Sequence, residues 1–296
     1  MEFFLQQTIN AIALGGTYAL LALGMAVIFS IMGMINFAHG ELMTITGYAL
    51  FFGISGGIPW YLAAPIALVV GALAAVTMEL VAFRPVRGSS AATLLVTSFA
   101  VSMILQILFQ NFISTRPKAV LLPDFLNRSI KLGVVTVGVN QMLSILVTII
   151  TLLLLTLFFR KSVIGISMRS AAEDFPVTRL MGIPANAVIS GAFAISGLLA
   201  AIAGTLWVAQ RASVDPLMGF VPVVKAFIAA ILGGLGSLSG AVAGGFLLGF
   251  IEIYLSAFLP EGALSYKEPM ALFLVILVLL WRPKGLIPAG NIVDKD

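Results

Sequence analysis

The chain has 296 residues, of which 60% are apolar and only 9% charged, with a formal net charge of +4. Charged residues make up about 25% of an ordinary soluble domain, so a soluble globular enzyme is excluded for want of charge to cover its surface, and the high apolar content excludes intrinsic disorder. The absence of cysteine excludes a disulfide scaffold and thiolate metal sites, and the basic residues fall at the ends of apolar runs, where they set membrane topology rather than hold nucleic acid.

Six stretches contain no Asp, Glu, Lys or Arg: 3–40, 42–78, 88–115, 132–159, 180–210 and 226–251. A helix needs roughly 20 apolar residues to cross the hydrocarbon layer, so each stretch holds at least one span. The runs are solid rather than alternating, which argues against a barrel. In lipid the backbone must bond within its own segment, which requires helices. The predicted spans follow in order. The first covers 8–31. The second covers 34–54 and stops at the breaker Gly53-Ile54-Ser55-Gly56-Gly57-Ile58-Pro59. The third covers 60–83, the fourth 91–113, the fifth 142–159 and the sixth 187–209. The stretch 221–258 has room for two short spans or one broken helix, and the last span covers 264–281. The fold class is therefore all-α: a polytopic integral membrane protein with eight or nine transmembrane helices in a single domain over 1–296. Arg84 is the first basic residue, so no positively charged segment of a signal peptide is expected.

Alternating the spans sorts the basic residues into two sets. Arg84, Arg87, Arg160, Lys161, Arg169, Arg179, Arg282, Lys284 and Lys295 share one side. Arg116, Lys118, Arg128, Lys131, Arg211 and Lys267 share the other. The larger set marks the cytoplasm. The loop 160–184 and the C-terminus are expected there, with the N-terminus and the loop 114–140 outside.

Polar residues within the spans are few. In Met34-Ile35-Asn36-Phe37-Ala38-His39-Gly40-Glu41, a continuous helix would put Asn36 and His39 on one face and turn Glu41 away from His39. Ionisable groups at depth are paired or line a pathway, so Asn36, His39 and Glu41 either hold helices together or face the translocation path. Gly33, Gly40 and Gly47 recur every seven residues, a smooth stripe for close packing. Glu79 reads as an interfacial carboxylate, and Glu252 could pair with Lys225. The segment 232–245 carries six glycines. Gly240/Gly244 and Gly245/Gly249 have the spacing of helix contacts. Gly233, Gly234 and Gly236 suit either a plain turn or a break that offers backbone groups to a substrate.

The longest polar loop after the fifth span, about 160–185, contains Ala171, Ala172, Glu173 and Asp174. Asp174 can cap a short helix over 174–181 that tolerates Pro176 in its first turn and stops at Gly182 and Pro184. Val177, Leu180 and Met181 form its apolar face. A helix this short is marginal alone, so a docking partner is expected, either protein or lipid surface.

Several strings then occur in a familiar order: Gly-Gly-Thr-Tyr-Ala-Leu at 15–20, Ile-Asn-Phe-Ala-His-Gly-Glu at 35–41, Arg-Pro-Val-Arg at 84–87, the segment 169–184, Lys-Ala-Phe at 225–227, Gly-Gly-Leu-Gly-Ser at 233–237 and Arg-Pro-Lys-Gly at 282–285. Together the set resembles the permease of the bacterial high-affinity branched-chain amino-acid importers driven by ATP, the Liv type. The resemblance implies a pathway shared with a second permease subunit, identical or homologous, two ATP-binding subunits on the cytoplasmic face, a periplasmic substrate-binding protein, and a bacterial inner membrane. It also implies that Ala171, Ala172, Glu173 and Gly182 match the family's coupling motif, with Pro176 a departure. No Gly-x-x-x-x-Gly-Lys-Ser/Thr is present, so ATP hydrolysis is expected on separate subunits. The chain is expected to be a transport subunit without catalytic residues, metal or cofactor. An ion- or proton-coupled carrier is the alternative; it would use Glu41, Glu79 or Glu252. The substrate stays open among branched-chain and other small amino acids, urea and short amides.

Overall fold

The computed structural model describes residues 2–133 and 135–288. Lys295 lies outside them. In chain order the helices are α1 (Glu2–Met32), α2 (His39–Ser55), α3 (Trp60–Met78), α4 (Ala91–Phe112), α5 (Val139–Lys161), α6 (Val163–Glu173), α7 (Phe175–Leu180), α8 (Ala185–Arg211), α9 (Phe220–Gly233), α10 (Leu238–Phe258) and α11 (Lys267–Trp281). Short strands occupy the connections: β1 (Lys118–Ala119), β2 (Ser129–Leu132), β3 (Val135–Gly138) and β4 (Ser213–Val214). β1 pairs antiparallel with β4, and β2 with β3.

Among the described residues, seven helices are long and apolar enough to cross a membrane: α1, α3 with its continuation to Val86, α4, α5, α8, α10, and the stretch Glu261–Trp281 that ends in α11. These are fewer than the expected eight or nine, for two reasons. The span expected over 34–54 is not one helix. Gly33 takes φ +64° and residues 33–36 are irregular, so α2 starts only at His39 and has 17 residues. The stretch 221–258 also divides. Gly234 and Gly236 take φ +116° and +84°, open to glycine and closed to most side chains, and they separate the 14-residue α9 from α10. The remaining spans fall within a few residues of their expected limits.

α1 and α8 form the buried centre, and α4, α5 and α11 stand at the periphery with their Leu, Ile and Phe side chains outward. The glycines of α10 serve two neighbours. Gly245 and Gly249 meet α1 at Ala19 and Gly15, while Gly240 and Gly244 meet α9 at Gly233 and Ala229. Two opposite ends result. At one, Phe3 packs edge-on against Phe258, the Thr136 N–H donates to Gln6 Oε1, and β1 joins β4. At the other, a cavity of about 880 Å³ gathers the end of α1, the α5–α6 junction, the 236–239 turn and Ile287. Arg87 joins this second end by donating to Asn186 at 2.8 Å. Connectivity thus places the described members of the two basic sets at opposite ends of the bundle.

Candidate functional site

The entry to α2 holds the first candidates. Asn36 lies in the irregular segment before the helix, where the three-residue spacing to His39 has no helical meaning. Its Nδ2 faces the sulfur of Met78 at 4.0 Å. His39 is the first residue of α2; its Nδ1 lies 3.1 Å from Ser196 Oγ on α8. The ring occupies space left by Gly24 of α1, where a Cβ would come within 2.8 Å of Cε1. Asn36 and His39 therefore address different helices, which corrects the expected shared face.

Glu41 turns away from His39, toward α4. Its Oε1 accepts from Ser102 Oγ at 2.9 Å and from Gln106 Nε2 at 2.7 Å. Its Oε2 is buried without a partner, as are Asn36 Oδ1, His39 Nε2, Thr44 Oγ1 and Tyr48 Oη. Ser102 and Gln106 went unremarked in the sequence. Ser98, Ser102 and Gln106 do recur every four residues through an apolar span, a polar stripe that marks the face turned inward.

Two other carboxylates carry resident cations. Glu79, expected to reach an interface, is fully buried, paired with Arg87 and bonded by Ser190 at 2.7 Å. The reason is local. Residues 79–83 form a wider π-helical turn and 84–86 a tighter one, so the chain bends Arg87 back over the acid instead of carrying it to the membrane surface. Glu252 pairs with Lys225 and accepts from Tyr18 Oη at 2.9 Å. Lys225 also reaches Glu268 at 3.0 Å. Breaking a buried pair costs about 3–5 kcal/mol because it strands the other charge. Lys225→Met should therefore lower the melting temperature of the purified protein sharply, and Lys225→Met combined with Glu252→Gln should recover most of the loss. Equal loss in single and double variants would show that the pair is not its source.

The glycine segment lies at the cavity end, away from His39 and Glu41. The Leu232 and Gly233 carbonyls accept from the N–H groups of Leu286 and Ile287, both at 2.9 Å. The chain after α11 thus folds back as a strap over the α9–α10 turn. Gly285, at φ +82°, lies against Gly234, and Gly240 approaches the Ile287 carbonyl. Two backbone acceptors of the turn are therefore occupied within the chain.

The loop 160–185 contains two helices rather than one. Ser162 caps α6, its Oγ accepting from Gly165 N at 2.9 Å. Met168 and Ala171 are buried, Ala172 is half-buried and Glu173 is exposed. Asp174 caps α7, accepting from Val177 N at 3.0 Å, and Pro176 sits in the first turn, where its missing N–H is harmless. Gly182 takes φ +82° after the helix. Among the described residues nothing covers the apolar face of α7: Val177, Leu180 and Met181 are 51%, 87% and 78% exposed.

The sequence was compared with known proteins. The family described as branched-chain amino acid transport system, permease component, matches residues 7–280. The high-affinity branched-chain amino acid transport system permease protein BraD of Pseudomonas aeruginosa is 36% identical over 296 residues, covering 96% of this chain and 95% of that one. The corresponding LivH of Escherichia coli (strain K12) is 37% identical over 303 residues, covering 96% of each. LivM of the same strain, also a permease protein of that system by name, is 26% identical and covers 95% of this chain and 70% of its own length. Among solved structures, PsaBC from Streptococcus pneumoniae in complex with Fab matches with a TM-score of 0.50 at 15% identity, over 94% of this chain and 91% of that one. It shares the fold.

Proposed function

The chain belongs to the family of permease components of branched-chain amino acid transport systems, and we propose that it forms one half of the pathway of an ATP-driven importer in a bacterial inner membrane. It is a membrane permease subunit, and its substrate is a branched-chain amino acid delivered by a periplasmic binding protein. Two separate ATPases act at the cytoplasmic end through the segment of about 160–185. The partner permease is a second, homologous chain: one organism supplies two relatives of this system, LivH and LivM, and this chain is nearer the first. α2 and α9, each with its irregular lead-in, complete two further passes beside the seven long helices. The candidates along the path are Asn36, His39 and Glu41, with Gly233, Gly234 and Gly236 setting the turn at its inner end. Ala171, Ala172, Glu173, Asp174, Val177, Leu180, Met181 and Gly182 form or shape the coupling segment.

The observation that carries the coupling is the uncovered apolar face of α7, beside Arg169 and Arg179 at the end richer in Lys and Arg. A short amphipathic helix lays such a face into a partner's groove at i, i+3 and i+4. Both states of the transporter must hold that helix differently, or ATP supplies no force for the switch. The function is tested by leucine, isoleucine and valine uptake into proteoliposomes that hold both permeases and both ATPases, with binding protein outside. Uptake that requires ATP inside is expected, and uptake driven by an ion gradient without ATP would overturn the reading. The orientation has its own test. Cysteine is absent, so Ala172→Cys supplies a single thiol. An impermeant thiol reagent should leave it unlabelled in intact cells and label it after the inner membrane is opened. Labelling from the periplasm would invert the topology.

A further inference from the structure

We propose that Glu41 is the subsite that receives the ammonium group of the substrate in passage, with the Thr44 and Tyr48 hydroxyls beside it on α2. The proposal names the ligand chemistry of a residue on the pathway above and rests on the importer reading. It starts from the carboxylates inside the helices. Glu41, Glu79 and Glu252 are all buried, at 0%, 0% and 3% exposure. Glu79 has Arg87 and Glu252 has Lys225. Among the described residues no cation pairs with Glu41. Its neighbours are neutral donors: the Ser102 hydroxyl and the Gln106 amide, both on Oε1, with the Thr44 hydroxyl beside the carboxylate. They orient the carboxylate and leave Oε2 without a partner. A carboxylate held inside a bundle in this way calls for a positive visitor.

The surroundings fit one class of visitor. Residues 41, 44 and 48 stand on one face of α2 by their spacing. Thr44 Oγ1 and Tyr48 Oη, like Glu41 Oε2, are buried and unpartnered. The face therefore offers a carboxylate and two hydroxyls, of which that of Thr44 stands close enough to bond the carboxylate itself. A primary ammonium has three N–H donors and no acceptor, which complements that set. A carboxylate in the same place would meet Glu41 as a like charge. The Tyr48 ring packs against Phe109 of α4 at 5.5 Å, which supplies an apolar wall for an aliphatic side chain. One charge contact and two hydroxyls hold a zwitterion briefly, as a conducting site must, since conduction requires release as well as entry.

Two probes separate the amine end from the acid end: isopentylamine, which lacks the carboxylate, and isovalerate, which lacks the amine. The full-length permease, purified in detergent, is melted with each. A ligand that binds only the folded state raises the melting temperature with its concentration. Isopentylamine should stabilise the unaltered protein and isovalerate should not. Glu41→Gln keeps the bonds from Ser102 and Gln106 and removes the charge; it should weaken the amine effect by about ten-fold in concentration, near 1.4 kcal/mol. Tyr48→Phe keeps the packing against Phe109 and should weaken it less. An amine shift unchanged in Glu41→Gln, or a larger shift with isovalerate, overturns the proposal. If Glu41→Gln is not recovered folded, an unchanged shift in Tyr48→Phe overturns it. In proteoliposomes isopentylamine should also inhibit leucine uptake at concentrations that leave the binding protein loaded. Failure of ATP-dependent uptake by the unaltered complex overturns the importer reading, whereas the melting result decides the Glu41 subsite by itself.

Discussion

Leu180→Asp is expected to abolish uptake and release the ATPase subunits while the permease stays inserted and folded. α7 contains only residues 175–180, far short of the dozen or more that hold an isolated helix. Its cap and first-turn proline set the shape, but the residues that would anchor it are left in solvent, with Leu180 at 87% exposure. Fully burying a leucine contributes roughly 1.5–3 kcal/mol, about ten-fold to a hundred-fold in a docking equilibrium. A carboxylate in the same groove replaces that gain with a desolvation cost. The site lies outside the membrane-spanning helices, so folding of the bundle should be untouched. Co-purification of the ATPases with the variant, beside a melting curve of the permease, reads the result. ATPases retained in full, with ATP hydrolysis still stimulated by loaded binding protein, would falsify the assignment of α7 as the coupling contact.

Gly245→Val should sharply lower the yield of folded permease. Helix association in lipid depends on packing rather than on the hydrophobic effect, and small residues let backbones approach. At Gly245 a Cβ would come within 2.9 Å of Ala19 Cβ, and nearer still to the Ala19 backbone. Backbone cannot swing aside as a side chain can, so α1 and α10 must part. α1 is the most buried span of the bundle, and the disturbance reaches α8 and α9 as well. Overpacking of this kind costs about 1–3 kcal/mol or more, so the yield of monodisperse protein in detergent should fall by about ten-fold. Gly262→Val is the control, because nothing lies within 4 Å of a Cβ there. Equal yields from the two variants would count against this packing.

The sequence made the long spans legible because charges and Gly-Pro breakers bound them, and because membrane helices cannot end at depth without replacing their backbone bonds. The shortness of α2 escaped for the same reason, whereas the division of 221–258 was already open in the sequence. Gly33, Gly40 and Gly47 look alike in a seven-residue stripe, yet Gly40 and Gly47 face residues 214–223 inside α2 while Gly33 has positive φ and ends α1. Nothing in spacing distinguishes a packing glycine from a turning one. The α7 cap and stop were readable because they are local, set by Asp174, Pro176 and Gly182. α6 was not, since Met168 and Ala171 become an inward face only against neighbours distant in sequence. The partners of the buried acids divide in the same way. The Lys225–Glu252 pair was open to guesswork, whereas Tyr18, 234 residues from Glu252, belongs to a contact no local pattern announces. Glu79 was misplaced because helical spacing carries no hint of the π turn that returns Arg87 to it.

The strap formed by the chain after α11 has a consequence for the making of the protein. The last carbonyls of a helix have no partner inside it, and at the end of α9 those of Leu232 and Gly233 are satisfied by Leu286 and Ile287. These donors lie 54 residues further along the chain, beyond α11. During insertion α9 and α10 can meet along Gly233, Gly240 and Gly244, but their turn stays unlatched until α11 and the strap after it have been made. The α9–α10 pair is therefore completed only by residues that follow α11. A chain cut after α11 but before Leu286 would carry every long span and still leave the Leu232 and Gly233 carbonyls unpaired at the inner end.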